Sequence, residues 1–244
     1  MGTCRCGGVG APIASERSLG RVAEWQTRWL QVPVSARTWG FKSPLAHHMA
    51  TRISDDAQIA GDATIGDGTQ VWNLVQIREG AAIGRDCIVG RTAYVGPGVR
   101  IGDRCKIQNN ALVYDPAVIA DGVFIGPGAI LTNDRLPRAV SPSGELKGAD
   151  DWDPVGVTIE TGASIGAGAI CVAPVRIGAW AMVAAGSVVV RDVPDHVLVA
   201  GNPARQIGWV GRDGRRMTVD GDALVDVSTG SRFTEVDGLL VEQS

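Results

Sequence analysis

Histidine is scarce in this chain, and cysteine is missing from its C-terminal part. Two of the three histidines precede residue 49 and the third is His196, so the stretch 53–189 contains none. A catalytic zinc site with three histidine ligands therefore cannot form within that stretch. No cysteine follows Cys171, which excludes a thiolate zinc site in the C-terminal segment. We expect no metal.

Long apolar runs and an excess of positive charge are also missing. No stretch has the roughly 20 apolar residues that a membrane-spanning helix needs, and no signal peptide is evident. Residues 1–48 carry six basic and two acidic side chains. The remaining 17 basic and 24 acidic side chains give residues 49–244 a net charge of −7. Because an acidic body disfavours nucleic-acid binding, we expect neither a membrane nor a nucleic-acid partner.

The five cysteines lack the spacing of a disulfide framework or a zinc site. Cys87 and Cys105 hold positions that small residues occupy elsewhere, and Cys171 holds an aliphatic position. Free cysteine is usually buried as a small hydrophobic residue, and we interpret all three in that way. This cysteine usage favours a reducing compartment, the cytoplasm.

An aliphatic residue recurs at every sixth position through most of the chain. The first series is Ile53, Ile59, Ile65, Val71, Ile77, Ile83, Val89, Val95, Ile101, Ile107, Val113, Ile119, Ile125 and Leu131. The second series, out of phase with the first, is Ile159, Ile165, Cys171, Ile177, Val183 and Val189. Four residues after each aliphatic residue from Ile53 to Ile125 stands a small or short one. A period of six fits neither a helix nor a simple strand, but it is typical of a hexapeptide solenoid.

The period predicts an all-β fold in which three six-residue units close one triangular coil. The aliphatic side chain points to the axis and the small residue lies at a corner. Coils stack at about 4.8 Å, and each coil buries its core only against its neighbours. We place this domain at residues 49–194. The Pro-, Asp-, Gly- and Ser-rich segment 132–156 is predicted to be an inserted loop, and such loops are usually functional, the alternative being a tolerated insertion.

Two terminal segments do not follow the period. In the extension 195–244, the alternation from Arg215 onward predicts a small β-meander. Residues 1–48 resemble a transfer-RNA gene read in frame, with Gly-Phe-Lys-Ser at residues 40–43 matching its T-arm. We expect translation to begin at Met49, and the alternative is a basic targeting segment.

Five further motifs resemble those of the nucleotide-sugar amine N-acetyltransferases. They are VWNxxQIREGAxIG, IQNNxxVY, GPGAILTNDRLPR, LKGADDW and VAGNPARQIGWV, and the similarity runs from Ile53 to Trp209. The resemblance implies a left-handed parallel β-helix, a homotrimer, acetyl-coenzyme A as donor and the 3-amino group of a UDP- or dTDP-linked sugar as acceptor. The alternatives are a non-catalytic scaffold and an acyltransferase acting on another small amine or hydroxyl group.

The resemblance also implies roles for particular residues. Asn133 would anchor the amine, with its carbonyl oxygen aiming the lone pair, and Asp134 is the alternative base. The nucleotide sugar would bind against Arg78, Gln108, Asn109, Asn110, Tyr114 and Arg135. Acetyl-coenzyme A would bind along Gly166, Ala184, Ala185, Arg191, Pro203 and Arg205. The alternatives are turn asparagines that bond the backbone and solvated surface arginines.

Overall fold

The computed structural model describes residues 50–243. The start at Met49 and the nature of the N-terminal leader lie outside the described residues. Within them the chain is almost entirely β-structure, and no helix is long and apolar enough to cross a membrane.

Short strands follow one another on three faces of a parallel β-solenoid. The first face consists of β1 (Arg52–Ile53), β4 (Gln70–Val71), β7 (Ile88–Val89), β10 (Lys106–Ile107), β13 (Phe124–Ile125), β16 (Ser164–Ile165), β19 (Met182–Val183), β21 (Val197–Gly201) and β22 (Ala204–Trp209). The second face consists of β2 (Gln58–Ile59), β5 (Gln76–Ile77), β8 (Tyr94–Val95), β11 (Leu112–Val113), β14 (Ile130–Leu131), β17 (Ile170–Cys171) and β20 (Val188–Val189). The third face consists of β3 (Thr64–Ile65), β6 (Ala82–Ile83), β9 (Arg100–Ile101), β12 (Val118–Ile119), β15 (Val157–Ile159) and β18 (Val175–Ile177). The all-β solenoid predicted from the period is therefore confirmed.

The aliphatic series forms the axis of the solenoid. Every member from Val71 to Leu131 and from Ile159 to Val189 is buried. Ile53 is 46% exposed, because it belongs to the first described coil, which has a neighbour on one side only. The small residues at the corners are buried as well, including Cys87 and Cys105. Burial raises the pKa of the Cys171 thiol to about 12, as expected for an inert core cysteine.

Positive φ angles recur at the turns between strands. Glycine holds many of these positions, but Asn110 (φ 60°) and Trp180 (φ 58°) adopt the same conformation. The turn at Gly162 (φ 71°) shows a steric reason for glycine. A Cβ there would lie 2.4 Å from the indole ring of Trp180 on the next coil.

Parallel pairing continues beyond Val189, where the six-residue period ends. Val193 bridges Ile177, and Val199 on β21 pairs with Val183. Val193 follows Val189 by four positions instead of six, so a shortened turn replaces a full unit. The solenoid pairing therefore extends past the end of the sequence period, because a short coil keeps the strand register while breaking the six-residue spacing.

The segment between β14 and β15 leaves the solenoid as predicted. Val140 and Leu146 form an antiparallel bridge, closed by a turn at Gly144 (φ 88°). A 3-10 helix follows at Ala149–Asp151. The amide of Gly148, the residue before the helix, donates to the Asp151 carboxylate at 2.6 Å. The loop is thus internally hydrogen-bonded.

The predicted C-terminal meander is also present. It consists of β23 (Thr218–Asp220), β24 (Ala223–Val225), β25 (Arg232–Val236) and β26 (Leu239–Glu242), in sequential antiparallel order. Asp226, buried after β24, accepts hydrogen bonds from the amides of Arg212 and Ser228 and from the Ser228 hydroxyl.

Candidate functional site

Two corners of the solenoid flank the second face, and the sequence-predicted site residues divide between them. The loop corner, between the second and third faces, comprises residues 78–81, 96–99, 114–117 and 132–156. The small-residue corner, between the first and second faces, comprises residues 90–93, 108–111, 126–129, 166–169 and 184–187. Strand β14 carries the chain along the second face to the loop corner and thereby sets the position of Asn133.

Asn133 stands where the inserted loop begins. Its backbone carbonyl accepts the amide of Val155 at 3.1 Å, which closes the loop at its base. Its side-chain Nδ2 donates to Oδ1 of Asp115 at 3.5 Å. Since an amide group has one donor end and one acceptor end, this contact leaves the Asn133 Oδ1 free to accept a hydrogen bond from a ligand.

Two tyrosines lie beside this pair. The rings of Tyr94 and Tyr114 are tilted, with centroids 5.2 Å apart. Burial is the main cause of the raised pKa of Tyr94, and the Asp115 charge acts in the same direction while Arg78 opposes it. The structure thus brings Arg78, Tyr114 and Asn133, three of the sequence-predicted residues, to one corner together with Tyr94 and Asp115.

Arg78 is not an uncompensated cation at this corner. Its guanidinium forms two hydrogen bonds with the neighbouring Glu79 carboxylate, at 2.9 and 3.3 Å. Asp134 lies in the loop and its Oδ1 accepts the amide of Leu136 at 2.7 Å, so the carboxylate holds the loop's first turn. Arg135 is exposed.

The three adjacent amide residues Gln108, Asn109 and Asn110 lie at the small-residue corner, across the second face from Asn133. Asn109 accepts the amide of Arg91 at 2.9 Å through its side chain. The Asn110 side chain bonds the Thr92 hydroxyl, and its own φ is positive. These are the turn contacts that the alternative interpretation described. Gln108 lines a cavity of about 370 Å³ with Trp72 and Arg91.

Small residues leave the same corner open farther along the solenoid. Gly166 lies against the next coil so closely that a Cβ would be 2.4 Å from the amide nitrogen of Ala185. Ala185 is exposed and Ala184 half-buried. The corner therefore presents backbone and methyl groups with no bulky side chain between residues 184 and 186.

Arg191 and Arg205 line one pocket of about 170 Å³, together with Asp192 and Gln206. The Arg205 guanidinium also donates to the carbonyl of Ala204 at 2.8 Å. Pro203, at the turn between β21 and β22, is exposed. The shortened last coil brings the two arginines to one pocket, although Arg205 lies on β22, outside the six-residue period.

Sequence reasoning assigned no role to Asp115 or Tyr94. Asp115 precedes Asn133 by 18 residues, the length of one uninterrupted coil, and that spacing could have identified the pair. Tyr94 on β8 pairs with Leu112 on β11. The same 18-residue spacing therefore places the Tyr94 side chain next to the coil that carries Tyr114.

His196 is a core residue within the described part of the chain. Its ring lies 5.2 Å from that of Phe233, and its Nδ1 is 2.9 Å from the carbonyl oxygen of Val210. Among the described residues no group of three or more His, Cys, Asp or Glu side chains has the arrangement of a metal site.

Comparison with known proteins identifies the repeat. Residues 62–97, 80–115 and 98–133 match the bacterial transferase hexapeptide repeat, and residues 156–191 match the hexapeptide repeat of succinyl-transferases. The inserted loop occupies the interval between the two matched regions.

Three relatives illustrate the range of the similarity. Serine acetyltransferase 4 of Arabidopsis thaliana is 51% identical over 65 residues, which are 27% of this chain and 18% of the relative. The dTDP-3-amino-3,6-dideoxy-alpha-D-galactopyranose 3-N-acetyltransferase of Aneurinibacillus thermoaerophilus is 43% identical over 83 residues, 34% of this chain and 42% of the relative. A UDP-N-acetylglucosamine acyltransferase structure from Bacteroides fragilis has a TM-score of 0.53 at 18% identity, and the match covers 66% of this chain and 61% of that one.

These matches differ in what they establish. The chain spans less than half the length of these two sequence relatives, and the structural likeness concerns the fold alone. The repeat itself is recognised on both sides of the inserted loop. Residues 62–133 and 156–191 are therefore similar to the hexapeptide repeats of bacterial transferases.

Proposed function

We propose that this protein is an N-acetyltransferase that transfers the acetyl group of acetyl-coenzyme A to the amino group of a nucleotide-linked sugar. The observation that carries the proposal is the Asn133–Asp115 contact at the base of the inserted loop. Because this contact engages the donor end of the Asn133 amide, the Oδ1 would remain to accept a hydrogen bond from an acceptor amine. The 43% identity to an amino-sugar 3-N-acetyltransferase supports the same acceptor class.

An acceptor amine needs less from the protein than an acceptor hydroxyl. The free amine has a lone pair ready to attack the thioester carbonyl, so the protein has to orient it rather than deprotonate it. The Asn133 Oδ1 would accept one N–H of the amine. The C–N bond forms, the C–S bond breaks, and the proton released from nitrogen passes to the departing coenzyme A thiolate.

The small-residue corner supports the placement of the donor. Ala184, Ala185 and Gly166 leave space for the narrow pantetheine chain, and the pocket of Arg191 and Arg205 offers two cations for its phosphates. Backbone amides near Gly166 would hold the thioester oxygen as negative charge develops on it. Pro203 would lie at the rim of this binding region.

The division of the site residues between two corners supports a homotrimer. In a single chain Asn133 at the loop corner and the small residues Gly166, Ala184 and Ala185 at the small-residue corner lie on opposite edges of the second face, whereas Arg191, between β20 and Val193, lies on the loop side. A loop corner packed against the small-residue corner of another copy would bring both sets together, with Gln108, Asn109 and Asn110 contributed across that interface. Light scattering that shows an active monomer would contradict this arrangement.

A serine acetyltransferase is the second candidate, because a relative of that name is 51% identical over 65 residues. A hydroxyl acceptor requires a base that removes its proton. The histidine within the described residues is buried against Phe233, and Asn133 is no base. The carboxylates of Asp134 and Asp115 already accept hydrogen bonds, from the Leu136 amide and from Asn133. The geometry therefore favours the amine acceptor.

The test is an acceptor panel. The full chain is incubated with acetyl-coenzyme A and, separately, UDP- and dTDP-linked 3-amino sugars or L-serine, and the acetylated product is identified by mass spectrometry. We expect acetylation of at least one nucleotide-linked amino sugar. Turnover of L-serine alone would replace the proposal by the second candidate, and failure of coenzyme A to raise the melting temperature would favour a non-catalytic scaffold.

A further inference from the structure

The inserted loop carries an open surface pocket, called the loop cavity below, that the reaction as described above does not use. It has a volume of about 420 Å³ and is lined by Asp134, Arg138, Ala139, Leu146, Lys147, Gly148 and Trp152. All of these residues lie within the insertion, and none belongs to a strand of the solenoid. The cavity is therefore a feature of the loop and not of the repeat.

Hydrogen bonds within the loop hold the walls of this cavity in place. The amide of Lys147 donates to the carbonyl of Ala139 at 3.0 Å, which joins the two arms of the hairpin. The 3-10 helix, fixed by the contact of Gly148 with Asp151, places Trp152 after it. The Asp134 carboxylate holds the first turn of the loop. Three separately bonded segments thus converge on one space.

The lining combines two cations, Arg138 and Lys147, with the indole of Trp152 and one carboxylate, Asp134, whose Oδ1 accepts the amide of Leu136. Arg138 and Lys147 form no ion pair with any residue that the structure describes, although Arg138 donates one hydrogen bond to the carbonyl of Pro137. Trp152 is half-buried and leaves part of its indole at the cavity. In a chain whose described part is acidic overall, two unpaired cations facing one cavity favour an anionic ligand.

We infer that this loop cavity binds the nucleoside diphosphate part of the sugar acceptor, an inference that rests on the proposed function. The base stacks on Trp152, as bases do on aromatic side chains, and the diphosphate lies between Arg138 and Lys147. Asp134, next in the chain to Asn133, marks the end of the cavity closest to the reacting amine. The volume is within the range of small-ligand sites.

Coenzyme A also contains a nucleoside diphosphate, so the experiment has to separate the two sources. Binding of dTDP, UDP and coenzyme A to the full chain is measured by isothermal titration calorimetry, for the wild type, for the double variant Arg138→Gln/Lys147→Gln and for Trp152→Leu. Arg100→Gln, which removes one exposed charge on the third face, is the control for loss of positive charge outside the loop. Melting temperatures verify that each variant is folded.

We expect the double variant to bind dTDP or UDP at least tenfold more weakly and Trp152→Leu to lose a similar factor, with coenzyme A binding and the control unchanged. In the acetylation assay, the KM for the nucleotide sugar rises while the KM for acetyl-coenzyme A does not. Weakened coenzyme A binding with unchanged dTDP and UDP binding would overturn the inference, as would unchanged binding of all three.

The two proposals fail in different ways. If an amino-sugar nucleotide is acetylated and the loop variants keep their nucleotide affinity, the proposed function stands and the cavity assignment is wrong. If no amino-sugar nucleotide is acetylated but the loop variants lose dTDP or UDP affinity, the cavity assignment stands and the proposed reaction is wrong.

Discussion

The side-chain amide of Asn133 donates a hydrogen bond to the carboxylate of Asp115, with 3.5 Å between Nδ2 and Oδ1. The two residues belong to successive coils at the loop corner, so the contact ties the start of the inserted loop to the solenoid beneath it. It also decides which end of the Asn133 amide remains available to a ligand. Two of the predictions below test that relationship.

Replacement of Asn133 by alanine should abolish most of the activity while leaving the fold intact. Loss of a positioned polar group at a reacting centre lowers the rate by roughly a hundredfold or more, whereas loss of one half-buried hydrogen bond costs about 1 kcal/mol of stability. Initial rates with a nucleotide-linked amino sugar, together with melting temperatures, measure both effects. Coenzyme A affinity should not change.

His196→Ala provides the opposite control. Because His196 packs against Phe233 away from the loop, this variant should lose roughly 1–3 kcal/mol of stability and keep its acetylation rate per folded molecule. Normal rates for Asn133→Ala, together with an inactive but folded His196→Ala, would contradict the orientation mechanism and favour a histidine base.

Asp115 is predicted to be a positioning residue that acts through Asn133. Asp115→Ala removes the acceptor of the Asn133 amide and should lower kcat roughly 10- to 100-fold, as misplacement of a reacting group does. Asp115→Asn retains an acceptor oxygen and should recover most of the rate. If Asp115→Asn is as slow as Asp115→Ala, the carboxylate charge itself is required, and Asp115 is then the base.

A methyl group at Gly162 should destabilise the solenoid. The Cβ would lie 2.4 Å from the Trp180 indole, and φ at this position is +71°. The clash and the backbone strain together should cost about 3 kcal/mol or more in the free energy of unfolding of Gly162→Ala. In the double variant with Trp180→Ala the clash disappears and only the strain remains. Chemical denaturation of the four proteins in this cycle measures the coupling, and an additive cycle would contradict it.

The acid sensitivity of the C-terminal meander should depend on Asp226. Burial raises the pKa of this carboxyl group, but its hydrogen bonds with Ser228 and Arg212 outweigh burial and lower the pKa to about 2, from an ordinary value of 3.8. A carboxyl group with a depressed folded-state pKa contributes stability above pH 4, and that contribution is lost as the pH falls toward 2.

The corresponding experiment compares wild type and Asp226→Asn by thermal unfolding between pH 7 and pH 2. We expect the variant to be less stable at neutral pH, with the difference shrinking in the acid range. A difference in melting temperature that stays constant down to pH 2 would contradict the assignment. The mutation is remote from the proposed site, so activity at neutral pH should follow the folded fraction.

The sequence by itself determined the solenoid, because each six-residue unit contains both its axial aliphatic residue and its small corner residue. Ile107 points to the axis and Ala111 fits the corner whatever the rest of the chain does, so a local period suffices to specify strands, corners and stacking. The inserted loop and the meander were equally predictable, because residues 132–156 lack the aliphatic period and an alternating pattern begins at Arg215.

Only the tertiary structure decided which side chains meet. The 18-residue coil places Asp115 under Asn133 and Tyr94 beside Tyr114, and it separates Gln108 from Arg78 by the width of a face. No sequence period predicts the shortened coil after Val189, because parallel hydrogen bonding tolerates a turn that is two residues shorter. The loop cavity likewise arises from hydrogen bonds within the insertion, and the six-residue period does not encode such contacts.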